Sequence, residues 1–399
     1  MSGASIVSLS KMQKGNPNKD QDQRRYDIDW LRVIAMLAVF LFHNARFFDV
    51  FGWHLKNAEK SFIVTLFIIL LALWTMPLFF LLSGVGSWYA LKSRTSEQYL
   101  LDRVKRLLIP LYTVGMLILL PPQWYWDRVT NEGIVGSFWE SYLHYFIKTL
   151  NLSPSPYFGS FWPGHLWFLK FLFIISLLVL PLLLYFKTDS GRGLISRLAG
   201  WCDRRGGIFL FLIPLVLVRI CLRSFFAGEH TWADLFEYAV FFLIGYLIPS
   251  DERFTGGFKR HGWVCLALGI AGFGGTVFIA MGLGYNPMEG ESFSWIYVLV
   301  QMVWSIASWS WVVFVLGLGA KHLNFNNKLR AYGNEAVLPF YIFHQTIILL
   351  VGCYIIPLNM PIPLKYLIIS TSSFVLIMSL YELLVKRINT VRFLFGMRL

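Results

Sequence analysis

Arg32 and His43 stand eleven positions apart within one apolar stretch, residues 28–48. At 3.6 residues per turn, that spacing returns to nearly the same helix face with a rise of about 16 Å. One helix would then present a fixed cation near one end and an ionisable imidazole toward the other. An anionic donor held by the guanidinium could bring its reacting group to the imidazole. The plainer alternative is a snorkelling arginine and a histidine satisfied inside a bundle. Charge deep in an apolar span is costly, so both residues are functional candidates. Asp29, three positions before Arg32, is either its ion-pair partner or a substrate contact.

Other residues of this kind follow along the chain. Arg103 and Arg106 are i, i+3 and share a helix face, an arrangement that suits phosphate but also suits anchoring at headgroups. His165 and Trp167 open an apolar stretch; Trp167 is either an interfacial anchor or an acceptor contact, and His165 would orient an acceptor or stabilise developing charge. Tyr341 and His344 lie inside another stretch, where His344 is a second imidazole candidate or a satisfied core histidine. Ser83-Gly84 permits close helix approach, with Ser83 as a lesser candidate for bonding a donor, and Pro77 should kink its helix. His54, His230, His261 and His322 fall in expected loops and are set apart from the chemistry. The 4 cysteines form no C-x-x-C pair and no metal-ligand spacing, so no metal site is expected. Neither G-x-S-x-G nor a spaced Ser-His-Asp set is present, which argues against a serine esterase.

The elements that must carry these residues are membrane helices. The chain is 56% hydrophobic and only 14% charged, too little charge to cover a soluble surface of 399 residues. A hydrocarbon core of about 30 Å needs about 20 apolar residues in a helix. Ten stretches qualify: 28–48, 62–90, 107–121, 165–186, 207–226, 232–248, 263–283, 293–320, 337–356 and 364–385. The third is short, and its arginine-rich approach should continue the helix into the headgroups. Basic residues concentrate in alternate connections, for example Lys92, Arg94, Arg103, Lys105 and Arg106 after the second stretch and Lys187, Arg192, Arg197, Arg204 and Arg205 after the fourth. Under the positive-inside rule this predicts an all-α polytopic bundle of about ten spans with both termini cytoplasmic. The net charge of +13 is spread over these short connections, so nucleic-acid binding is not expected. Residues 1–25 read as a disordered basic N-terminus, 26–385 as one membrane domain, and 386–399 as a basic cytoplasmic tail. The long segment 122–164 is rich in Trp and Tyr; 137–150 could form an interfacial helix, as a belt or as a platform for a sugar.

Several motifs together resemble the acyltransferase 3 family of membrane proteins. Arg32 with His43 is similar to its R-x10-H signature, preceded by Asp29. Met76-Pro77-Leu78-Phe79-Phe80-Leu81-Leu82-Ser83-Gly84 is similar to FFxxSG. Arg103-Val104-Lys105-Arg106-Leu107-Leu108-Ile109-Pro110 is like RxxRLxxP, and His165-Leu166-Trp167-Phe168-Leu169 is like HLWFL. Pro339-Phe340-Tyr341-Ile342-Phe343-His344 resembles a late aromatic stretch ending in His. The branch that adds succinyl groups to periplasmic glucans looks nearest.

The resemblance implies an enzyme of the plasma membrane. It would move an acyl group, acetyl or succinyl, from cytosolic acyl-CoA to a hydroxyl of an extracytoplasmic glycan or glycolipid, with no permanently bound cofactor. His43 would be the general base, since acyl transfer to a hydroxyl needs one near pH 7. A covalent acyl-imidazole is the lesser alternative. Arg32, Arg103, Arg106 and Ser83 would hold the acyl-CoA, with His165 and His344 beside His43 and Trp167, Tyr341 and Asp29 toward substrate. The rival is a transporter or flippase of a glycan or lipid-linked substrate, which buried charges and a Pro-bearing helix also suit. No internal repeat relates the two halves of the chain, and the matching motifs are those of an acyltransferase.

Overall fold

The computed structural model describes residues 25–133, 136–150, 163–285 and 294–398. The expected disordered segment 1–25 lies outside these apart from Arg25. Among the described residues there are helices and no strand. In lipid, helices satisfy every backbone polar group internally, which is why this composition folds this way.

Among the described residues, eight helices are long and apolar enough to cross a membrane: α1 (Tyr26–Ala45), α2 (Phe62–Ser93), α3 (Ser96–Asn131), and then, further along, Trp232–Ser250, Glu252–Gly282, Trp295–His322, Lys328–Ile355 and Ile362–Val385. Between α3 and Trp232 run α4 (Phe138–Leu150), α5 (Gly164–Leu178), α6 (Leu180–Tyr185), α7 (Asp189–Cys202) and α8 (Leu212–Arg223). The later five long helices are α9 to α13 in that order, and α14 (Asn389–Leu394) follows. The whole is an all-α polytopic membrane bundle.

The starts of these helices are written locally. Ser61, Thr95, Asp251, Ser294 and Asn327 each accept a backbone N–H of the first turn of α2, α3, α10, α11 and α12. Thr95 and Gln98 cap each other reciprocally, as do Thr231 and Asp234 at α9. The third expected span proves to be the middle of a much longer helix, α3, which does continue back through Arg103 and Arg106. Pro110 has no N–H to offer the preceding turn, and α3 relaxes into π-helical turns on either side of it, Val104–Leu108 and Leu111–Leu119. The fourth expected span is divided into α5 and α6 ahead of Pro181, although Val179 N–H still bonds Ile175 O at 3.0 Å. The fifth opens with a 3-10 turn, Gly207–Phe211, before α8. The helix expected over 137–150 is α4, Phe138–Leu150.

Packing places α12 at the centre: 72% of its most apolar window is buried, against 28% for α10. α2 and α9 touch backbone to backbone. A Cβ on Gly84 would lie 1.9 Å from Phe242 O, and one on Gly245 would lie 1.9 Å from Leu81 O. Arg25 and Arg398, the first and last described residues, lie at one end of the bundle, because neighbouring cavities link Arg25 to Arg32 and Arg32 to Arg398. This is the basal end. The His54 loop and the end of α3 mark the apical end.

Candidate active site

A cavity of about 700 Å³ opens inside the basal half of the bundle, between α1, α2, α3, α5, α12 and the segment after α13. Its walls carry Arg32, Arg94, Arg103, Arg106, Arg392 and Arg398 against the acids Asp102 and Glu335. Asp102 pairs with Arg94 at 2.6 Å, and Glu335 pairs with Arg392 at 3.2 Å. Arg103 instead bonds the neutral Ser87 Oγ at 2.5 Å and lies over the Tyr99 ring at 4.9 Å. Arg106 has no carboxylate partner among the described residues. Arg32 donates to Asn334 Oδ1 at 2.9 Å and lies 3.5 Å from Asp29, whose other oxygen is held by Arg330. The walls therefore carry a surplus of guanidinium charge, a setting for phosphate. Asp29 lines the smaller adjoining cavity of about 330 Å³.

The inner end of the large cavity is formed by Phe79, Phe168 and Tyr341. Tyr341 leads directly to the histidines. Its ring centroid is 5.5 Å from that of His344, and its hydroxyl donates to the His165 carbonyl. His344 Nδ1 lies 2.5 Å from Tyr341 O, so that nitrogen carries the hydrogen. Its Nε2 then offers a lone pair to His43 Nδ1, 3.2 Å away. His43 Nδ1 also faces Val39 O at 2.9 Å, so its proton sits on Nδ1, between two acceptors. That leaves His43 Nε2 with a lone pair and no hydrogen-bond partner among the described residues. An imidazole held in this tautomer can take a proton at Nε2, and the added charge strengthens its Nδ1–H bonds to His344 and Val39.

His165 is brought to the same cluster, with its ring 5.0 Å from His344. Both its nitrogens are committed, however: Nδ1 accepts from Gln123 Nε2 at 3.1 Å, and Nε2 donates to Ile342 O at 3.1 Å. Gln123 also donates to Thr346 Oγ1 at 2.7 Å, and its Oε1 accepts from Gln345 Nε2 at 3.1 Å. Gln345 in turn donates to His54 Nε2 at 3.1 Å, and His54 Nδ1 donates to Asp127 Oδ1 at 3.0 Å. A continuous polar network thus runs from the apical rim to the His165 ring.

Apart from Asp29 in the adjoining cavity, the expected residues fall into three places. Arg32, Ser83, Arg103, Arg106 and Tyr341 line the basal cavity, and Ser83 Oγ donates back to Phe79 O at 2.8 Å. His43, His165 and His344 form the cluster above it. Trp167 stands to the side, among the rings of His230 at 4.3 Å, Phe171 at 5.2 Å, Tyr238 at 5.7 Å and Phe80 at 6.1 Å. Among the described residues no group of three His, Cys, Asp or Glu side chains is placed to hold a metal ion.

Several residues of the site were not singled out from sequence. His54 and His230, both read as loop residues apart from the chemistry, join the network and the Trp167 stack. Gln123, Gln345 and Thr346 carry the network. Gln345 carried a signal in the sequence, since a polar amide inside an apolar run is costly unless it has a task. Arg330, outside the apolar stretches, is buried against Asp29 and lies over the Tyr26 ring at 4.8 Å. His261, read as a loop residue, lies in α10 and accepts the Gly206 N–H at 2.9 Å, a structural contact.

An apolar helical bundle with a cationic cavity leading to a poised imidazole describes an integral, multi-pass membrane protein with a site for chemistry inside it. The acyltransferase 3 family model, an acyltransferase domain, matches residues 25–382. The chain is 26% identical over 351 residues to glucans biosynthesis protein C of Salmonella paratyphi A (strain ATCC 9150 / SARB42), covering 84% of this chain and 85% of that protein. The protein of the same name from Salmonella agona (strain SL483) matches equally, at 26% over 351 residues and the same 84% and 85% coverage. That from Salmonella enteritidis PT4 (strain P125109) is 25% identical over 347 residues, again covering 84% of this chain and 85% of its own. No solved structure matches the chain. The chain belongs to the acyltransferase 3 family and is a membrane acyltransferase for groups other than amino-acyl groups.

Proposed function

We propose that this enzyme moves an acetyl or succinyl group from acyl-CoA, bound in the basal cavity, to a hydroxyl of a glycan or glycolipid that reaches the histidines from the apical side. The basal end faces the cytosol, where acyl-CoA is made, and the bundle crosses the plasma membrane about ten times as a single domain, residues 26–385. The uncompensated guanidiniums of Arg103 and Arg106, with Arg32, suit the phosphates of the nucleotide. The direction of the cavity, from these arginines to Tyr341, suits an extended thioester arm. The name of the relatives favours a carbohydrate acceptor.

In this reaction His43 Nε2 accepts the acceptor hydroxyl proton as the oxygen attacks the thioester carbonyl carbon. The C–O bond forms, the tetrahedral centre collapses and the C–S bond breaks. The leaving sulfur takes the proton back from His43, so the products are the acyl ester and coenzyme A. His344 acts through His43: its Nε2 accepts the Nδ1–H bond that fixes the tautomer and supports the imidazolium.

The observation that carries the proposal is the open Nε2 of His43, backed by His344, above an arginine-lined cavity. The test uses protein in nanodiscs, with acetyl-CoA or succinyl-CoA and glucan oligosaccharides, and follows thiol release and sugar ester formation. Wild type should show acceptor-stimulated release, and His43→Ala should lose about 10²-fold or more. His344→Ala should lose less while keeping the donor KM. Full activity in correctly inserted His43→Ala would overturn the assignment.

A further inference from the structure

The segment after α13 was expected to be no more than a basic tail, and the structure gives it a specific seat. Phe395 is only 3% exposed, and its ring is 4.7 Å from that of Phe343, the neighbour of His344. Gly396 has φ +67°, and a Cβ there would lie 2.7 Å from Arg106 O. The chain therefore rests directly on the backbone of α3 where that helix carries Arg106, and only glycine fits both the close approach and the left-handed conformation. Arg392 bonds Glu335 Oε1 at 3.2 Å and the Arg398 carbonyl at 3.1 Å. That brings Arg398 and Met397 into the wall of the large cavity.

Arg398 differs from Arg392 in what its side chain meets. That side chain lines the cavity, is exposed, and makes no hydrogen bond or ion pair among the described residues. The two acids of the lining are already matched with Arg94 and Arg392. Arg103, Arg106 and Arg398 are left as three guanidiniums, from two separate elements, that line one space with no ion pair of their own among the described residues. Three such charges repel one another unless an anion sits between them, and a guanidinium fork matches phosphate oxygens in pairs.

We propose that Arg398 is a donor-binding residue: it takes a phosphate of acyl-CoA together with Arg103 and Arg106, and Arg392 positions it by tying the segment to Glu335. The inference rests on the acyl-CoA reading above. It makes residues 389–398 a wall of the donor site, so donor affinity depends on the chain beyond its last membrane helix.

The experiment measures binding of coenzyme A and of pantetheine, which lacks all the phosphates, to the full chain in nanodiscs. Arg398→Gln should weaken coenzyme A about tenfold and leave pantetheine unchanged, as expected for one lost charged hydrogen bond. In turnover, the KM for acetyl-CoA should rise by the same factor with kcat within twofold. Gly396→Ala, which pushes the segment off Arg106, should reproduce the loss for coenzyme A alone. If Arg398→Gln binds coenzyme A as wild type does, or weakens coenzyme A and pantetheine alike, Arg398 is not a phosphate ligand. If wild type itself binds no coenzyme A, the acyl-CoA reading fails and this assignment falls with it.

Discussion

Two sets of arginines lie within the bundle, and their surroundings are opposite. Arg219 and Arg223, both 1% exposed, sit in the apical part of α8 with a full complement of acids. Arg219 bonds Glu237 Oε2 at 2.6 Å and Gln301 Oε1 at 3.0 Å, and Arg223 pairs with Asp234 and donates to Gly228 O at 2.5 Å. Two cations and two anions close on themselves, and the pair involving Arg223 anchors the loop that carries His230. The basal set has the same chemistry but fewer acids than cations, and it faces a cavity instead of packed side chains. Buried guanidiniums matched charge for charge by carboxylates hold helices together. Guanidiniums left in surplus around a space wait for an anion.

The largest effect should come from breaking the closed set. Glu237→Ala leaves Arg219 buried with its main countercharge removed, a change that typically costs about 3–5 kcal/mol. Most of the protein should be lost on heated size-exclusion, where wild type survives. Replacing both partners, Arg219→Met with Glu237→Leu, should recover much of the folded fraction, because two apolar groups cost less than one orphaned charge. A wild-type melting profile for Glu237→Ala would remove the distinction between the two sets. The open set should behave in the opposite way. Arg106→Ala should leave the melting midpoint in place and raise the donor KM about 10-fold or more, the range for a lost hydrogen bond to a charged group. A fall in stability with no change in KM would place Arg106 with the closed set.

That distinction was not legible in the sequence, and the reason is physical. Arg32 and Arg219 look alike there: each is a cation within an apolar run. What separates them is the partner, and partners come from other helices. Spans, by contrast, are a local property. Twenty apolar residues in a row announce a membrane helix on their own, and Ser61, Thr95 and Asn327 announce where three of them begin. The Arg32–His43 spacing could likewise be read within one helix. His344 as the acceptor for His43 Nδ1 could not, since it lies 301 positions away. The same holds for Arg330 on Asp29, at the same separation of 301. The docking of the C-terminal segment was hidden by its charge: lysines and arginines beyond a last span read as headgroup anchors, and the apolar run Phe393-Leu394-Phe395 before Gly396 was too short to register as an element.

An arginine–carboxylate pair outside both sets, at the basal rim, sharpens the comparison from the side of water. Asp251 caps α10 by accepting the Arg253 backbone N–H at 3.0 Å, and it also accepts Arg253 Nε at 2.9 Å and Nη2 at 2.6 Å. The hydrogen bonds from the Arg253 side chain hold the Asp251 carboxyl below its ordinary value of 3.8. A depressed carboxyl stabilises the fold at every pH above the unfolded value, and that contribution fades as pH falls through the lower folded value. The window therefore lies below 3.8, well under neutral pH. The pair is partly exposed to solvent, so the charge itself should add little. Loss of the cap in Asp251→Ala should cost about 1 kcal/mol. Asp251→Asn keeps a capping oxygen and removes the charge, so at pH 7 its thermal midpoint should match wild type. Below pH 4 it should lack the part of the acid-induced drop that wild type owes to this carboxyl. If Asp251→Asn instead fell as far as Asp251→Ala at pH 7, the exposed charge pair would be stabilising in its own right. Burial would then no longer separate arginines that hold the fold from those that merely decorate it.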